Sequence, residues 1–408
     1  MERKLTKEIS NHNFIAFIWH GIFLSLASNF MDIHTIIPSM LIKAGGGAIT
    51  LGMLTAIMVG GSSIVQIVFA GFIANKKRKK AALISAISLR VLTLLLLAVI
   101  LFFSDYLSNL VTITAIFVLI SIFSFSGSYA NISYMDILGK SILAEKRKKF
   151  FTIKQIFSSI GILTSAFIVR NLLKQYSYPK NYSILLFGAG MLLFIASLGF
   201  WKIKEIDSKI KKKETFISFI KMIPHEFSRN GNIKNYLFII NFLGLAFSLI
   251  PFMVLFAKKN FEFSNALIGN ILLYKVVGML LTSIVLFKRS NTFEYKKLLY
   301  FSAVCGMAMP LLSLIFQNNI IVYQIIFIIS GVFITGFNIA KNGILMEIST
   351  DENRALYTGI SGAGNILPTI FPLVAGVLIA TLGYNIAFVS IALVVAFSLF
   401  FIRKLHCK

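Results

Sequence analysis

Apolar runs of twenty or more residues recur along the whole 408-residue chain. An α-helix needs about 20 apolar residues to cross the roughly 30 Å of hydrocarbon in a bilayer. Apolar residues make up 57% of the chain and charged residues 13%, which is too little polar material to coat a soluble protein of this size. We therefore predict an all-α polytopic membrane protein with twelve transmembrane helices, counted between charged or turn-rich breaks. The predicted spans lie at roughly 14–37, 48–74, 81–103, 109–135, 150–172, 181–201, 234–257, 264–287, 298–316, 319–345, 356–381 and 383–402.

The distribution of positive charge predicts the orientation of these helices. The chain has 40 Lys and Arg residues against 15 Asp and Glu residues, a net charge of +25. Basic loops are retained in the cytoplasm, and roughly five times as many basic residues lie on the side of both termini as on the other side. The charge thus indicates topology rather than a nucleic-acid partner. We expect a multi-pass protein of the cell inner (cytoplasmic) membrane with both termini cytoplasmic.

A lysine-rich segment divides the chain near its midpoint. It predicts an N-terminal six-helix bundle at 1–201, a cytoplasmic basic linker at 202–233 and a C-terminal six-helix bundle at 234–408. The lysines of the linker fit either a solvated connection or a surface that binds anionic lipid. Two six-helix repeats joined in this way are typical of secondary transporters, whose solute site lies at the repeat interface near the bilayer midplane.

Loops at corresponding places in the two halves carry similar charges. Asp136 is followed by Arg147 in the first half, and Glu347 is followed by Arg354 in the second half. The loop after the second predicted helix reads Gly71-Phe-Ile-Ala-Asn75, then five basic residues from Lys76 to Lys80.

That loop resembles the Gly-x-Leu-Ala-Asp-Arg-x-Gly-Arg-Lys motif of the major facilitator superfamily. Asn75 stands where the family has Asp, which would weaken the charge network that steadies one access state. The resemblance implies two bundles that rock about a central cavity and expose it to one side at a time. It implies a conformational gate formed by Gly71, Asn75, Lys76, Lys79, Lys80, Asp136, Arg147, Glu347 and Arg354.

Asp32 is the acidic residue that lies well inside a predicted span. Ser25, Ser28, Asn29, Asp32 and Thr35 recur at helical spacing, which predicts one polar face on helix 1. A buried charge costs about 2.5–3.5 kcal/mol on insertion scales, so such a residue usually marks an ion or proton route. We expect Asp32 to couple transport to protons. The alternative is that it is hydrated in a vestibule or pairs with a lysine.

Arg90, Lys154 and Lys275 are basic residues inside predicted spans. Lys275, near the middle of helix 8, needs a counter-charge, and a pair with Asp32 across the two halves would neutralise both side chains. The alternative for Lys275 is a purely structural ion pair. We expect Arg90 to pair with a neighbouring helix or with carbonyl groups rather than with solute, and Lys154 to extend to the interface.

Polar residues on the predicted inner helices are candidates for a solute-binding wall. The alternative is that small polar residues only let helices approach closely. The candidate substrate-cavity residues are Asn29, Gln66, Ser128, Asn131, Asn241, Tyr274, Lys275, Asn338 and Asn365.

These features favour a secondary transporter for a small polar or anionic solute, either proton-coupled through Asp32 or facilitated. Proton-coupled efflux of amphipathic drugs is the first alternative. An intramembrane serine protease that uses Ser361 is the second, but no histidine lies on a later span to serve as its base.

The chain contains neither a Walker loop nor metal-ligand spacing, so we expect no enzyme activity, cofactor or metal. The expected partners are the solute, the lipid bilayer and, if coupled, protons. We expect a monomer that binds no nucleic acid.

Overall fold

A computed structural model describes residues 5–61, 77–207, 231–288, 293–349, 357, 360–362 and 364–406. These residues contain helices and turns but no strand. We label the helices α1 (Lys7–Ser28), α2 (Ile36–Lys43), α3 (Ala48–Ala56), α4 (Lys80–Phe102), α5 (Asn109–Ser141), α6 (Ala144–Gln175), α7 (Lys180–Lys202), α8 (Gly231–Asn260), α9 (Asn265–Lys288), α10 (Tyr295–Ile315), α11 (Ile320–Ile348) and α12 (Leu367–Arg403).

The helical part of the prediction is confirmed. Ten helical segments of the described residues are long and apolar enough to cross a membrane. The spans match the sequence pattern closely, since the run expected at 81–103 forms α4, Lys80–Phe102. α12 covers residues 367–381 of the eleventh predicted span and all of the twelfth, and it is kinked at Gly383, where φ is 82°. Glycine adopts this conformation readily because it has no Cβ. The total of twelve spans and the cytoplasmic position of the termini remain predictions.

The first predicted span is not one continuous helix. α1 ends at Ser28, a 3-10 turn covers Asn29–Met31, and Asp32 has extended backbone angles before α2 begins at Ile36. Pro38 explains the interruption, because its ring removes one N–H and clashes with the carbonyl group four residues earlier. The expectation of a single polar face that runs from Ser25 to Thr35 was therefore wrong, and Asp32 lies in the break between two helices.

By its contacts the chain divides into two compact units. The first comprises Met1–Asp32 and Ile64–Phe216, and the second comprises Ile33–Ser63 and Ile217–Lys408. In the first unit α1 packs on α6 and α7, and α4 packs on α5 and α7. In the second unit α9 packs on α11, α8 packs on α12, and α10 packs on both α11 and α12.

Residues 33–63 differ from the predicted division, which placed them in the N-terminal bundle. Their contacts group them with the second unit, where α3 packs along α12. Glycines allow this approach: a Cβ on Gly52 would lie 2.3 Å from the carbonyl oxygen of Pro372, and a Cβ on Gly376 would lie 2.6 Å from that of Ala48. A division based on sequence cannot anticipate this contact between the backbones of α3 and α12. The functional division into two six-helix bundles remains a prediction.

Candidate solute site

A polar cavity of about 170 Å³ lies inside the first unit. Helices α1, α4, α5 and α6 supply its walls, with apolar side chains such as Leu83 and Ile87 between the polar ones. The polar groups are concentrated in one place within otherwise apolar helices. They come from His20, Arg90, Asn131, Tyr134 and Lys154.

Arg90 contributes a guanidinium group to this cavity. Its Cζ lies 4.2 Å from the ring centroid of Phe123, a cation–π contact. Its Nε is shielded from solvent and has no hydrogen-bond partner among the described residues. Gly127 makes room for the group, since a Cβ there would lie 3.1 Å from the Arg90 Cζ. The expected pairing of Arg90 with a neighbouring helix is therefore an aromatic contact, which leaves hydrogen-bond donors of the guanidinium available.

Lys154 borders the same cavity from α6. Its Nζ lies 3.3 Å from the hydroxyl oxygen of Tyr134 and donates to it. The side chain runs along α1 at Gly21, where an added Cβ would lie 3.2 Å from the Lys154 Cγ. The residue is only partly exposed. It thus points into the unit, whereas we had expected it to extend to the membrane interface.

His20 also lines the cavity, and the sequence did not identify it as a site residue. The ring is buried, with its centroid 4.1 Å from that of Phe200. Its Nδ1 lies 3.4 Å from the carbonyl oxygen of Ala196. Because a carbonyl can only accept, this contact places the proton of the neutral ring on Nδ1.

The cavity is electropositive. Of the described residues that line it, none is Asp or Glu. Neither Arg90 nor Lys154 forms an ion pair with a carboxylate in the described part of the chain. Each cation is about ten residues from the start of its helix, which is roughly 15 Å along the axis. Two cations at one cavity, neither of them paired with a carboxylate among the described residues, favour an anion as the partner.

A charge cluster near the start of α4 brings together several residues of the predicted gate. Lys79 Nζ lies 2.9 Å from the Asp136 carboxylate, and Lys140 Nζ lies 2.5 Å from it. Asp136, which the sequence placed in a loop, lies near the end of α5, so the end of α5 and the start of α4 are in contact. Glu205 completes the cluster: its carboxylate accepts hydrogen bonds from the backbone N–H groups of Lys79 at 2.5 Å and Lys80 at 3.0 Å.

The same segment makes further contacts with the chain after α7. Lys80 Nζ donates to the carbonyl oxygens of Trp201 at 2.7 Å and Ile203 at 2.9 Å. Arg78 Nε lies 2.7 Å from the Asp207 carboxylate, whose hydrogen bond and charge raise the pKa of the Arg78 guanidinium. Residues 203–207, predicted as the beginning of a linker, are therefore fastened to the start of α4.

The rest of the predicted gate is only partly described. Arg147 lies on α6 and Glu347 lies on α11, where it takes part in an interaction within the protein. The remaining members fall outside the described residues, and so does the substrate-cavity candidate Gln66. They are Gly71, Asn75, Lys76 and Arg354.

Among the substrate-cavity candidates of the first unit, Asn131 lines the cavity and two others have local partners. Asn29 Nδ2 donates to the carbonyl oxygen of Ile162 at 2.6 Å and to the hydroxyl of Ser165 at 2.9 Å, which fastens the helix break to α6. Ser128 donates to the carbonyl oxygen of Ser124 at 3.2 Å.

In the second unit Asn241 bridges α8 and the beginning of α12. Its Nδ2 donates to Gly364 O at 2.7 Å, and its Oδ1 accepts from the N–H of Leu367 at 2.8 Å. Lys275 is 1% exposed and takes part in an interaction within the protein. Tyr274, Asn338 and Asn365 also lie in this unit, Asn338 with an exposed side chain. The roles of all these residues, and the pairing of Lys275 with Asp32, remain predictions.

The serine of the protease alternative has a different partner. The Ser361 hydroxyl lies 2.9 Å from that of Tyr236. A phenol is a poor general base at neutral pH because its pKa is near 10. The structure thus lends this alternative no support.

The described helices are those of a multi-pass helical membrane protein. Residues 236–406 match the sequence profile of the Major Facilitator Superfamily. No curated protein matches the chain in sequence.

Solved structures match it nearly end to end. A variant of the nucleoside transporter NupG has a TM-score of 0.69 at 14% identity, covering 96% of this chain and 99% of that one. A peptide transporter POT in complex with sulfate has a TM-score of 0.67 at 10% identity, covering 97% and 96%. A D-xylose-proton symporter has a TM-score of 0.66 at 15% identity, covering 95% and 96%. The likeness in sequence to this superfamily thus covers residues 236–406, and the likeness in fold to these solved transporters covers nearly the whole chain.

Proposed function

We propose that the protein is a secondary transporter that moves a small polar or anionic solute across the cytoplasmic membrane by alternating access. The observation that carries this proposal is the open polar cavity within the apolar helices of a chain with this superfamily's fold. The similar structures belong to proteins named as transporters of nucleosides, peptides and xylose. Those solutes are polar metabolites, which supports a polar solute here ahead of amphipathic drugs.

Proton coupling through Asp32 is part of the proposal. Asp32 has extended backbone angles and lies in a helix break between α1 and α2. Interrupted helices at solute and ion sites recur among transporters, because the freed backbone groups and a nearby carboxylate can bind ions or protons. Protonation of this side chain would remove a charge that is costly to carry through the membrane. A proton gradient would then drive the solute.

Uptake by the purified protein in liposomes tests the function directly. The solute panel contains sugars, amino acids, nucleosides, small carboxylates and cationic dyes, each with and without an imposed pH gradient. We expect accumulation of at least one polar metabolite. Transport of dyes alone would reverse the ranking in favour of efflux, and no transport of any class would contradict the proposal.

Asp32→Asn isolates the coupling step. We expect it to abolish the effect of a pH gradient on uptake while solute binding stays measurable. Asp105→Asn is the matched control, because Asp105 is exposed in the short turn between α4 and α5. Proton dependence that persists in Asp32→Asn would exclude Asp32 as the coupling residue, whether or not transport itself is found.

A further inference from the structure

We propose that the cavity bordered by His20, Arg90 and Lys154 binds the anionic group, a carboxylate or a phosphate, of the transported solute. This inference rests on the proposed transport function and narrows its substrate class from small polar or anionic solutes to solutes that carry an anionic group. It also assigns binding roles to Arg90 and Lys154, which sequence analysis had interpreted as structural.

The charge balance of the cavity supports an anion. Insertion of an Arg or Lys at the centre of a membrane helix costs about 2.5–3.5 kcal/mol. Arg90 lies near the middle of α4 and shares one space with Lys154 of α6, and in the described part of the chain neither pairs with a carboxylate. A neutral solute would leave both charges uncompensated. An anion would compensate these charges only while it is bound. A carrier needs such reversible compensation because it must also release its solute.

The donor chemistry of the cavity fits an oxyanion. Guanidinium groups bind carboxylates and phosphates through two parallel hydrogen bonds. The ring centroid of Phe123 lies 4.2 Å from the Arg90 Cζ, and the Nε of Arg90 has no hydrogen-bond partner among the described residues. The Tyr134 hydroxyl, which accepts from Lys154, keeps its own proton for donation. The amide of Asn131 adds donors at the exposed edge of the cavity.

The size of the cavity limits the solute. Its volume of about 170 Å³ has room for several water molecules. Pockets that enclose drug-sized ligands measure about 300–1,000 Å³. The cavity therefore fits a small acid, or the acidic end of a larger metabolite, and excludes a bulky amphipathic dye.

Binding is measured as the anion-dependent rise in the melting temperature of the purified protein in neutral detergent, at constant ionic strength set with sodium chloride. The probes are succinate and inorganic phosphate, with succinamide as the uncharged counterpart. We expect succinate, phosphate or both to stabilise the protein and succinamide to have no effect. Equal stabilisation by succinamide, or no stabilisation by either anion, overturns the proposal.

Variants assign the effect to the cavity. Loss of a charge-assisted hydrogen bond should raise the dissociation constant about tenfold to a hundredfold in Arg90→Gln, and several-fold in Lys154→Gln. Lys174→Gln, exposed on the same helix as Lys154, is the control and should bind within about twofold of wild type. Binding by Arg90→Gln at wild-type strength overturns the proposal.

Asn131→Asp tests the site while every cation is kept. Its carboxylate would sit at the edge of the cavity and act as an internal anion. We expect the melting temperature without ligand to rise and the stabilisation by succinate or phosphate to disappear. Undiminished stabilisation in this variant contradicts the assignment even if Arg90→Gln fails to fold.

A lipid headgroup shares the chemistry of a soluble oxyanion. The measurement is therefore repeated in nanodiscs of phosphatidylcholine alone and of phosphatidylcholine with phosphatidylglycerol. Stabilisation by soluble anions in phosphatidylcholine, lost in Arg90→Gln, supports a solute. Stabilisation by phosphatidylglycerol alone overturns the solute assignment.

Uptake of the same probes separates this inference from the transport function. Binding that depends on Arg90 without uptake of any solute supports the anion site and contradicts transport. Uptake of a neutral solute that is unchanged in Arg90→Gln contradicts the anion site and leaves the transport function standing.

Discussion

Glu205 is expected to stabilise the first unit by holding the start of α4. Glu205 is 6% exposed, and its carboxylate accepts hydrogen bonds from the backbone N–H groups of Lys79 and Lys80, which have no acceptor within the helix itself. A hydrogen bond to a charged group is worth about 1.5–3 kcal/mol, and the positive end of the helix dipole adds to the attraction. Some of this is recovered when water reaches the freed groups. We therefore expect Glu205→Ala to lower the free energy of unfolding by about 2–4 kcal/mol.

Tryptophan fluorescence provides the assay. The chain has two tryptophans, Trp19 and Trp201, and both lie in the first unit. The carbonyl oxygen of Trp201 accepts from Lys80 Nζ at 2.7 Å, so this residue is close to the perturbation. Unfolding of detergent-solubilised protein by urea, followed by tryptophan emission, should show a lower midpoint in Glu205→Ala. The unfolding midpoint of Glu205→Gln should lie between those of wild type and Glu205→Ala, because the amide retains one acceptor oxygen.

Glu294→Ala is the matched control for this substitution. Glu294 also precedes a helix, but its side chain caps no N–H group and is 58% exposed in its pair with Lys297. Exposed pairs contribute about 0–1 kcal/mol, so the unfolding midpoint should hardly move. A Glu205→Ala midpoint that equals those of wild type and the control would refute the capping role.

Two further predictions concern stability within the units. In a double-mutant cycle, Lys79→Gln and Asp136→Asn should show a coupling energy of about 1–2 kcal/mol, measured in the same urea assay, and additive effects would contradict a direct pair. Gly331→Ala should destabilise the protein by about 2 kcal/mol or more, because a Cβ there would lie 2.0 Å from the carbonyl oxygen of Lys275. Gly139→Ala, with open space at its Cβ, should instead stabilise it by about 0.5–1 kcal/mol in thermal melts, and equal effects would refute the close packing.

The sequence predicts the helices well and their interruptions less well. The span expected at 81–103 agrees with α4 within a residue at each end, because bilayer thickness imposes a long apolar run that hydropathy detects. The break at Asn29–Thr35 was missed although Pro38 signals it. Apolar residues continue on both sides of the break, and hydropathy alone does not register a change in backbone conformation.

Contacts between distant residues were harder to predict than helices. Glu205 lies in a segment that reads as a solvated linker, yet it caps a helix 125 residues earlier in the chain. Arg90 and Lys154 were each explained singly, as a helix-pairing residue and as an interfacial lysine. Their common cavity arises from the packing of α1, α4, α5 and α6, which the spacing of residues along the sequence does not reveal. Two cations in spans of the same half, with no carboxylate inside those spans to match them, were the available signal.

The two kinds of membrane-embedded cation differ in what can neutralise them. Lys275 is 1% exposed and takes part in an interaction within the protein, so its side chain contributes to the packing of the second unit. Arg90 and Lys154 border open space, so their charge can be balanced by something that enters and leaves. A carrier needs the second kind, because a permanent partner would compete with the solute. Removal of Lys275 should therefore reduce folding yield more than solute affinity, and removal of Arg90 should reduce solute affinity more than folding yield.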